Sequence, residues 1–226
     1  MTDSLQLLRL MQDGDSFFPS GSVSFSWGLE TLCEDGIVKS EDDVARFISA
    51  QLSQRWFQFD RPIVIAAAQA SREIERLAEI DRIADARTLP AEIRSGSRRA
   101  GKGMLSIHIQ LMTEGAREYR TLVESGEARG HLAPMQGFLW SRRGIAAQEA
   151  ALMSAHTLCT GLLGVVVRLG VIGHIGAQRI LRNVQHHIAD LAAMPPAGLG
   201  DIHSFMPQAE IGSIRHETAE MRLFAN

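Results

Sequence analysis

Apolar residues recur three and four positions apart along nearly all of this chain, and no convincing run alternates apolar with polar as a half-buried strand would. That single period restricts the fold to helices packed on helices. Leu5, Leu8 and Met11 predict a short first helix. Ser40 and Asp43 predict a capping box, with Val44, Phe47, Ile48 and Leu52 on one face behind it. Asp60-Arg61-Pro62 restarts a helix that carries Ile63, Ala67 and Ala70. Ile74, Leu77, Ile80 and Ala84 line the next one, which Leu89-Pro90 ends. After Pro90, the positions Ile93, Ser97, Ala100, Met104, Ile107 and Leu111 share a face. A Gly130-His131-Leu132-Ala133-Pro134 loop leads to a central helix with Ala151, Ala155, Leu158, Leu162, Val165 and Leu169. The glycine-punctuated turn 170–176 precedes a helix with Ala177, Leu181, Val184, Ile188 and Leu191. Pro195-Pro196-Ala197-Gly198 reads as a linker, and Ile211, Ile214, Thr218 and Met221 as a last helix. The expected fold is all-α: a single-domain helical bundle over 1–194, then a linker and C-terminal helical docking tail over 195–226 that stands partly detached.

Residues 150–167 form an uncharged run of 18, the lower limit for a membrane span. Ser154, His156, Thr157, Thr160, Gly161 and Gly164 interrupt it, so a buried central helix is expected and no membrane association. With 45% hydrophobic residues, 226 positions suffice for a sizeable core. A net charge of −3 argues against a nucleic-acid binder, which needs a basic excess. Asp3 stands where a secretory leader would be basic, and no long apolar stretch follows it, so a cytoplasmic protein is expected. Cys33 and Cys159 form no CxxC and read as reduced buried thiols, with a single disulfide as the alternative.

Two segments approach known motifs and miss. Gly96-Ser97-Arg98-Arg99-Ala100-Gly101-Lys102-Gly103 has Gly103 where a phosphate-binding loop needs the hydroxyl that holds Mg²⁺, and no strand precedes it. A helical nucleotide-binding enzyme using 96–103 is therefore the alternative reading. His216-Glu217-Thr218-Ala219-Glu220 has Glu220 where a zinc protease needs its second histidine. No two of the eight histidines lie three or four apart, so no local helical metal site and no cofactor is expected. Arg94, Arg98 and Lys102 fall at i, i+4 and i+8, with Arg99 beside them: either a solvated face or a docking surface for an acidic partner. No Ser/His/Asp order, carboxylate pair or GxSxG elbow points to hydrolysis.

The stretch FFPSGSVSFSWGLE, residues 17–30, is too broken for a strand and too rich in serine for an ordinary core helix. Pro19-Ser20-Gly21-Ser22-Val23-Ser24-Phe25-Ser26-Trp27-Gly28-Leu29-Glu30 resembles the Pro-x-Gly-x-Phe-Ser-x-Ser-x-Gly-Leu-Glu signature of the UreF family of urease accessory proteins. Three further blocks resemble the same family in the same order. They are Glu92-Ile93-Arg94 with Ser97, Arg98, Arg99 and Gly101; Val167-Arg168-Leu169 with His174 and Gln178-Arg179-Ile180-Leu181; and His216-Glu217 with Arg222-Leu223-Phe224. Departures are Val23 beside the usual spacing, Phe25 where Tyr is common, His174 for Gln, and Ala225-Asn226 at the end.

The resemblance implies an all-helical homodimer without catalysis of its own. It would be a nickel-insertion chaperone that bridges UreD (also called UreH) and the nickel-carrying GTPase UreG, and through them reaches apo-urease. Any nickel binding or regulation of the GTPase is implied by that role, and no metal-ligating set is assigned to this chain. The resemblance places the GTPase-side contacts on Ser26, Trp27, Glu30, Arg94, Arg98, Lys102, Arg168, His174 and Gln178. It places the UreD/UreH-side contacts on Arg215, His216, Glu217, Arg222, Leu223 and Phe224. Within 17–30, the aromatics Phe17, Phe18, Phe25 and Trp27 are expected mostly inside, with Glu30 and some serines outside.

Overall fold

The computed structural model describes residues 4–19 and 26–216, excluding the side chain of His216. It is all-α, and no strand occurs among the described residues. The helices are α1 Ser4–Gly14, α2 Leu29–Glu34, α3 Glu41–Ala50, α4 Arg61–Gln69, α5 Ile74–Arg87, α6 Ala91–Gln110, α7 Ala116–Ser125, α8 Leu132–Arg142, α9 Ala147–Arg168, α10 His174–Ala193 and α11 Pro207–His216. Ser40 caps α3 as the sequence predicts, its side chain accepting from the Asp43 N–H.

Helix α9 is long and apolar enough to cross a membrane by length and composition. Here it is the central strut, with Ala150, Ala155, Cys159, Leu162, Val165 and Val166 buried. One half of the core gathers Ile63, Leu77, Leu105, Tyr119, Phe138 and Trp140 around α4, α5, α6 and α8. The other gathers Leu29, Val44, Leu52, Trp56, Val165 and Val184 around α2, α3, α9 and α10. Helices α4 and α8 touch backbone to backbone at Gly137, where any Cβ would collide with the Val64 carbonyl. Cys33 and Cys159 are free thiols, and burial pushes both above the usual thiol range.

Three sequence expectations change. First, α3 does not stop near Leu52. A π-helical segment, Gln51–Asp60, carries it straight into α4. Pro62 has no N–H to give the Gln58 carbonyl, and the wider turn leaves that oxygen open to the His203 N–H, 3.3 Å away. Second, the chain after Pro195 runs back over the body. Ile202 is fully buried, and Arg87 donates to the carbonyls of Ile202 (2.8 Å) and Gly200 (2.7 Å). Third, the apolar face of α1 points outward. Leu5, Leu7, Leu8 and Met11 are exposed, whereas Asp13 is buried.

Candidate functional site: a composite surface of α2 and α11

Within the serine-rich stretch, the residues from Ser26 to Glu30 are inside the protein. Trp27 (φ 53°) and Gly28 (φ 75°) are both left-handed and turn the chain sharply into α2. The turn is clamped from the π segment. The Arg55 guanidinium stacks 4.2 Å from the Trp27 ring centroid and 5.2 Å from that of Phe59. It also pairs with Asp60 at 3.1 Å. Arg55 and Asp60 are five residues apart, a separation that faces one way on a π turn and diverges on an α turn. Burial pushes the Asp60 carboxyl up, and Arg55 opposes that shift.

On the other side, α11 lies across the start of α2. A Cβ at Gly28 would collide with the Ala209 carbonyl and come within 3.0 Å of the Ser213 nitrogen. A Cβ at Gly212 would fall 2.9 Å from the Gly28 oxygen. The two glycines permit a crossing that larger residues forbid. The Thr31 hydroxyl donates to the Gly212 carbonyl at 3.1 Å. Arg215 forms an ion pair with Asp35, which holds the Asp35 carboxyl below its usual range. Clasped between α9 and α11, α2 buries Glu30 and Thr31. The expectation that Glu30 faces outward is therefore corrected: Glu30 is 1% exposed; of the stretch's serines Ser26 is fully buried, while Ser20, Ser22 and Ser24 lie outside the described residues. Of the aromatics, Phe18 and Trp27 are inside, Phe17 is 92% exposed, and Phe25 lies outside the described residues.

Behind Trp27 a small cavity of about 40 Å³ is lined by Trp56, Asp60, Ser97, Gln136, Ser154 and Thr157. Trp56 Nε1 donates to Ser154 Oγ at 2.9 Å. A second cavity of about 120 Å³ shares Leu132, Gln136, Thr157 and Gly161 with it and reaches Asp13. Both linings are mostly apolar, with the side chains of Gln136 and Thr157 bordering each. No group of three or more His, Cys, Asp or Glu side chains clusters as a metal site among the described residues.

The other sequence-assigned residues fall into two places. Arg94, Arg98 and Lys102 lie on α6, near the composite surface through the α6–α11 contact and through Ser97, which shares the cavity with Trp27. Two of them serve the fold: Arg94 donates to the Thr88 (2.9 Å) and Leu89 (3.1 Å) carbonyls, and Arg98 to Asp85 (2.8 Å). Lys102 is exposed. Arg168, His174 and Gln178 are exposed at the α9–α10 corner, where α10 packs on α3. Arg215 and the backbone of His216 belong to α11, whereas Glu217, Arg222, Leu223 and Phe224 lie outside the described residues.

The segment 96–103 is an interior part of α6, so its N–H groups serve the helix and form no phosphate cradle. Gly101 is there for packing: its α-carbon faces the backbone of Gly130 and His131. That loop is in turn organised by Asp81, which accepts from Tyr119 Oη (2.9 Å) and from the N–H groups of Arg129, Gly130 and His131.

Sequence reasoning missed Arg55 and the inverted α1. Gln6, Arg9 and Asp13 sit on one side of α1 and turn inward, the last two onto the α8–α9 connection. That i, i+3, i+7 polar spacing was the available signal, and it competes with the apolar one on the same short helix. Arg9 donates to the Arg143 carbonyl at 2.8 Å, and Arg143 pairs with Asp13 at 2.9 Å. An open groove of about 510 Å³ separates α1 from α9, lined by Leu7, Leu10, Met11, Leu152, Met153 and His156.

Relatives resemble the chain over its whole length. "Urease accessory protein UreF" of Trichodesmium erythraeum (strain IMS101) is 30% identical over 100% of this chain and 99% of its own. The proteins of that name from Bacillus sp. (strain TB-90) and Yersinia enterocolitica are 29% and 27% identical, each over 97% of this chain and 98% of their own. The UreF family model matches residues 38–185, which include α3 to α9 and the first half of α10. End-to-end similarity of this kind, on an all-helical body, makes the chain a member of the UreF family, a urease accessory protein rather than an enzyme.

Proposed function

We propose that the chain is a nickel-insertion chaperone of urease maturation, a cytoplasmic homodimer that bridges a UreD/UreH partner and the nickel-carrying GTPase UreG. The observation that carries this reading is a pair of separate apolar faces on a chain related end to end to urease accessory proteins. One is α1 with its groove against α9; the other is Phe205, Ile211 and Ile214, exposed on and beside α11. An adaptor needs at least two such faces, and exposed apolar patches mark interaction sites.

The α1 face suits a second copy of the chain. Leu5, Leu7, Leu8, Met11 and Leu152 are each at least two-fifths exposed, and Phe17 almost wholly so. Among the described residues of α1 the one cation, Arg9, turns inward to the Arg143 carbonyl, unlike the basic flank of a membrane-surface helix. A two-fold contact requires only apolar self-complementarity. The α11 face suits UreD/UreH, and the exposed Arg168, His174 and Gln178 corner, with Lys102, suits the GTPase.

The test is co-expression with UreD/UreH, UreG and apo-urease. One complex should co-purify, and urease should become active in nickel only when this chain is present. Activation of urease to the same level without it would refute the reading.

A further inference from the structure

We infer that the segment 26–31 acts as a seat rather than as a contact: Gly28 and Thr31 are positioning residues that hold α11 in the pose its partner recognises. The inference rests on the reading of the α11 face as the UreD/UreH docking surface. It reverses the role expected for Ser26, Trp27 and Glu30, which the resemblance assigned to contacts with the GTPase.

Several observations point the same way. Ser26, Glu30 and Thr31 are buried, so they offer a docked protein little surface. Gly28 is left-handed, and its missing side chain is the space through which the Ala209 carbonyl passes. Gly212 faces Gly28 from the opposite helix at a distance no Cβ would tolerate. Thr31 donates to the carbonyl of Gly212, and Arg215 pairs with Asp35 one turn further on. Ala209 and Ser213 face inward, whereas Ile211 and Ile214 of the same helix face solvent. The crossing thus fixes which side of α11 is presented.

The pose depends in turn on Arg55. Its stacking at 4.2 Å holds Trp27 in a left-handed conformation that a bulky residue rarely adopts. The path runs from the π segment through Arg55 and Trp27 to Gly28 and α11. A ten-residue helix is marginal alone, so α11 keeps its shape and its pose only while seated.

The test uses the full chain in three forms: wild type, Thr31→Val and Gly28→Ala. Hydrogen exchange reads the seating of α11 in residues 207–216, with α9 as the internal reference. Calorimetry or pull-down with purified UreD/UreH reads docking. Thr31→Val removes one hydrogen bond at almost constant shape, so it keeps the fold even if Gly28→Ala does not. Exchange in 207–216 should rise several-fold in Thr31→Val with α9 unchanged, and partner affinity should fall by a similar factor. Ile214→Asp, on the outer side, should lower affinity without changing exchange in α11. Unchanged exchange in Thr31→Val, or faster exchange with full affinity, overturns the seat. A wild-type chain that does not bind UreD/UreH at all defeats the functional reading beneath it, an outcome distinct from the other two.

Discussion

At the scale of single residues, His108 and Asp13 respond to acid with opposite signs. Burial, with Arg143 adding to it, holds the His108 imidazole down to about 4. Burial pushes the Asp13 carboxyl up to about 6, against the pull of Arg143 and Arg9. The His108 contribution is fully present above the unfolded value of 6.5 and is lost as pH falls toward 4, on the order of 3 kcal/mol. The Asp13 contribution runs the other way. It is fully present below the unfolded 3.8 and is lost as pH rises through 6, again on the order of 3 kcal/mol. Between pH 6 and 4 the two nearly cancel. Asp13→Asn should therefore raise the melting temperature at pH 7.5 and make stability fall more steeply toward pH 4. His108→Gln should do the reverse, gaining stability as pH drops through 6. Melting curves across that range check both, and profiles parallel to wild type would show that neither group governs acid stability. A different cost is expected at Arg55. Arg55→Met keeps the stem that packs under Trp27 but leaves Asp60 buried beside no cation. Breaking such a pair costs about 3–5 kcal/mol, and adding Asp60→Asn should restore part of it. A double variant no more stable than the single would place the loss in the stacking instead.

At the scale of elements, long helices were legible and their joints were not. The faces through Val44 and Ile48, Met104, and Val184 and Ile188 are buried as their spacing predicts, because one side of a long helix must find a core. The predicted break between Leu52 and Asp60 failed because proline was read as a start signal. Its missing N–H is equally satisfied by a wider turn that continues the helix. The first helix forms where its spacing predicts, but that spacing does not say which side faces inward. Eleven residues carry both an apolar and a polar stripe, and only the docked partner surfaces decide which turns inward. Burial of Glu30 was illegible because its cover, α11, comes from the far end of the chain. Pro62 gives this scale its prediction. Pro62→Ala restores an N–H that competes with His203 for the Gln58 carbonyl. Exchange at 200–206 should accelerate while the global melting temperature moves by only about 2–4 °C, the shift expected of roughly 1 kcal/mol in a domain this size. Unaltered exchange at His203 would show that Arg87 alone pins the segment.

At the scale of the whole molecule, α9 joins both halves of the core to two of the proposed contact faces. Its inner side fills both halves of the core, its C-terminal end carries Arg168, and Leu152 and His156 border the α1 groove. A stable interface takes about 800 Å² from each partner, and the α1 face with Phe17 and Leu152 supplies much of that in apolar side chains. If the proposed two-fold contact forms on α1, Leu8→Glu would place two carboxylates, one from each copy, in its middle, where they can neither hydrate nor pair. The variant should remain helical and melt normally, since Leu8 is 62% exposed in the single chain, yet elute as a monomer. His156 adds a pH dependence. Burial already holds it below the usual imidazole value, and a second copy over the groove would deepen that. Glu149 and Asp15 line the groove with it. Desolvation dominates, so the neutral form favours association and the dimer should weaken as pH falls below 6.5. Sedimentation at pH 7.5 and 5.5 should show several-fold weaker association in acid for wild type and no such difference for His156→Gln. A Leu8→Glu chain that stayed dimeric would move the two-fold contact off α1 altogether.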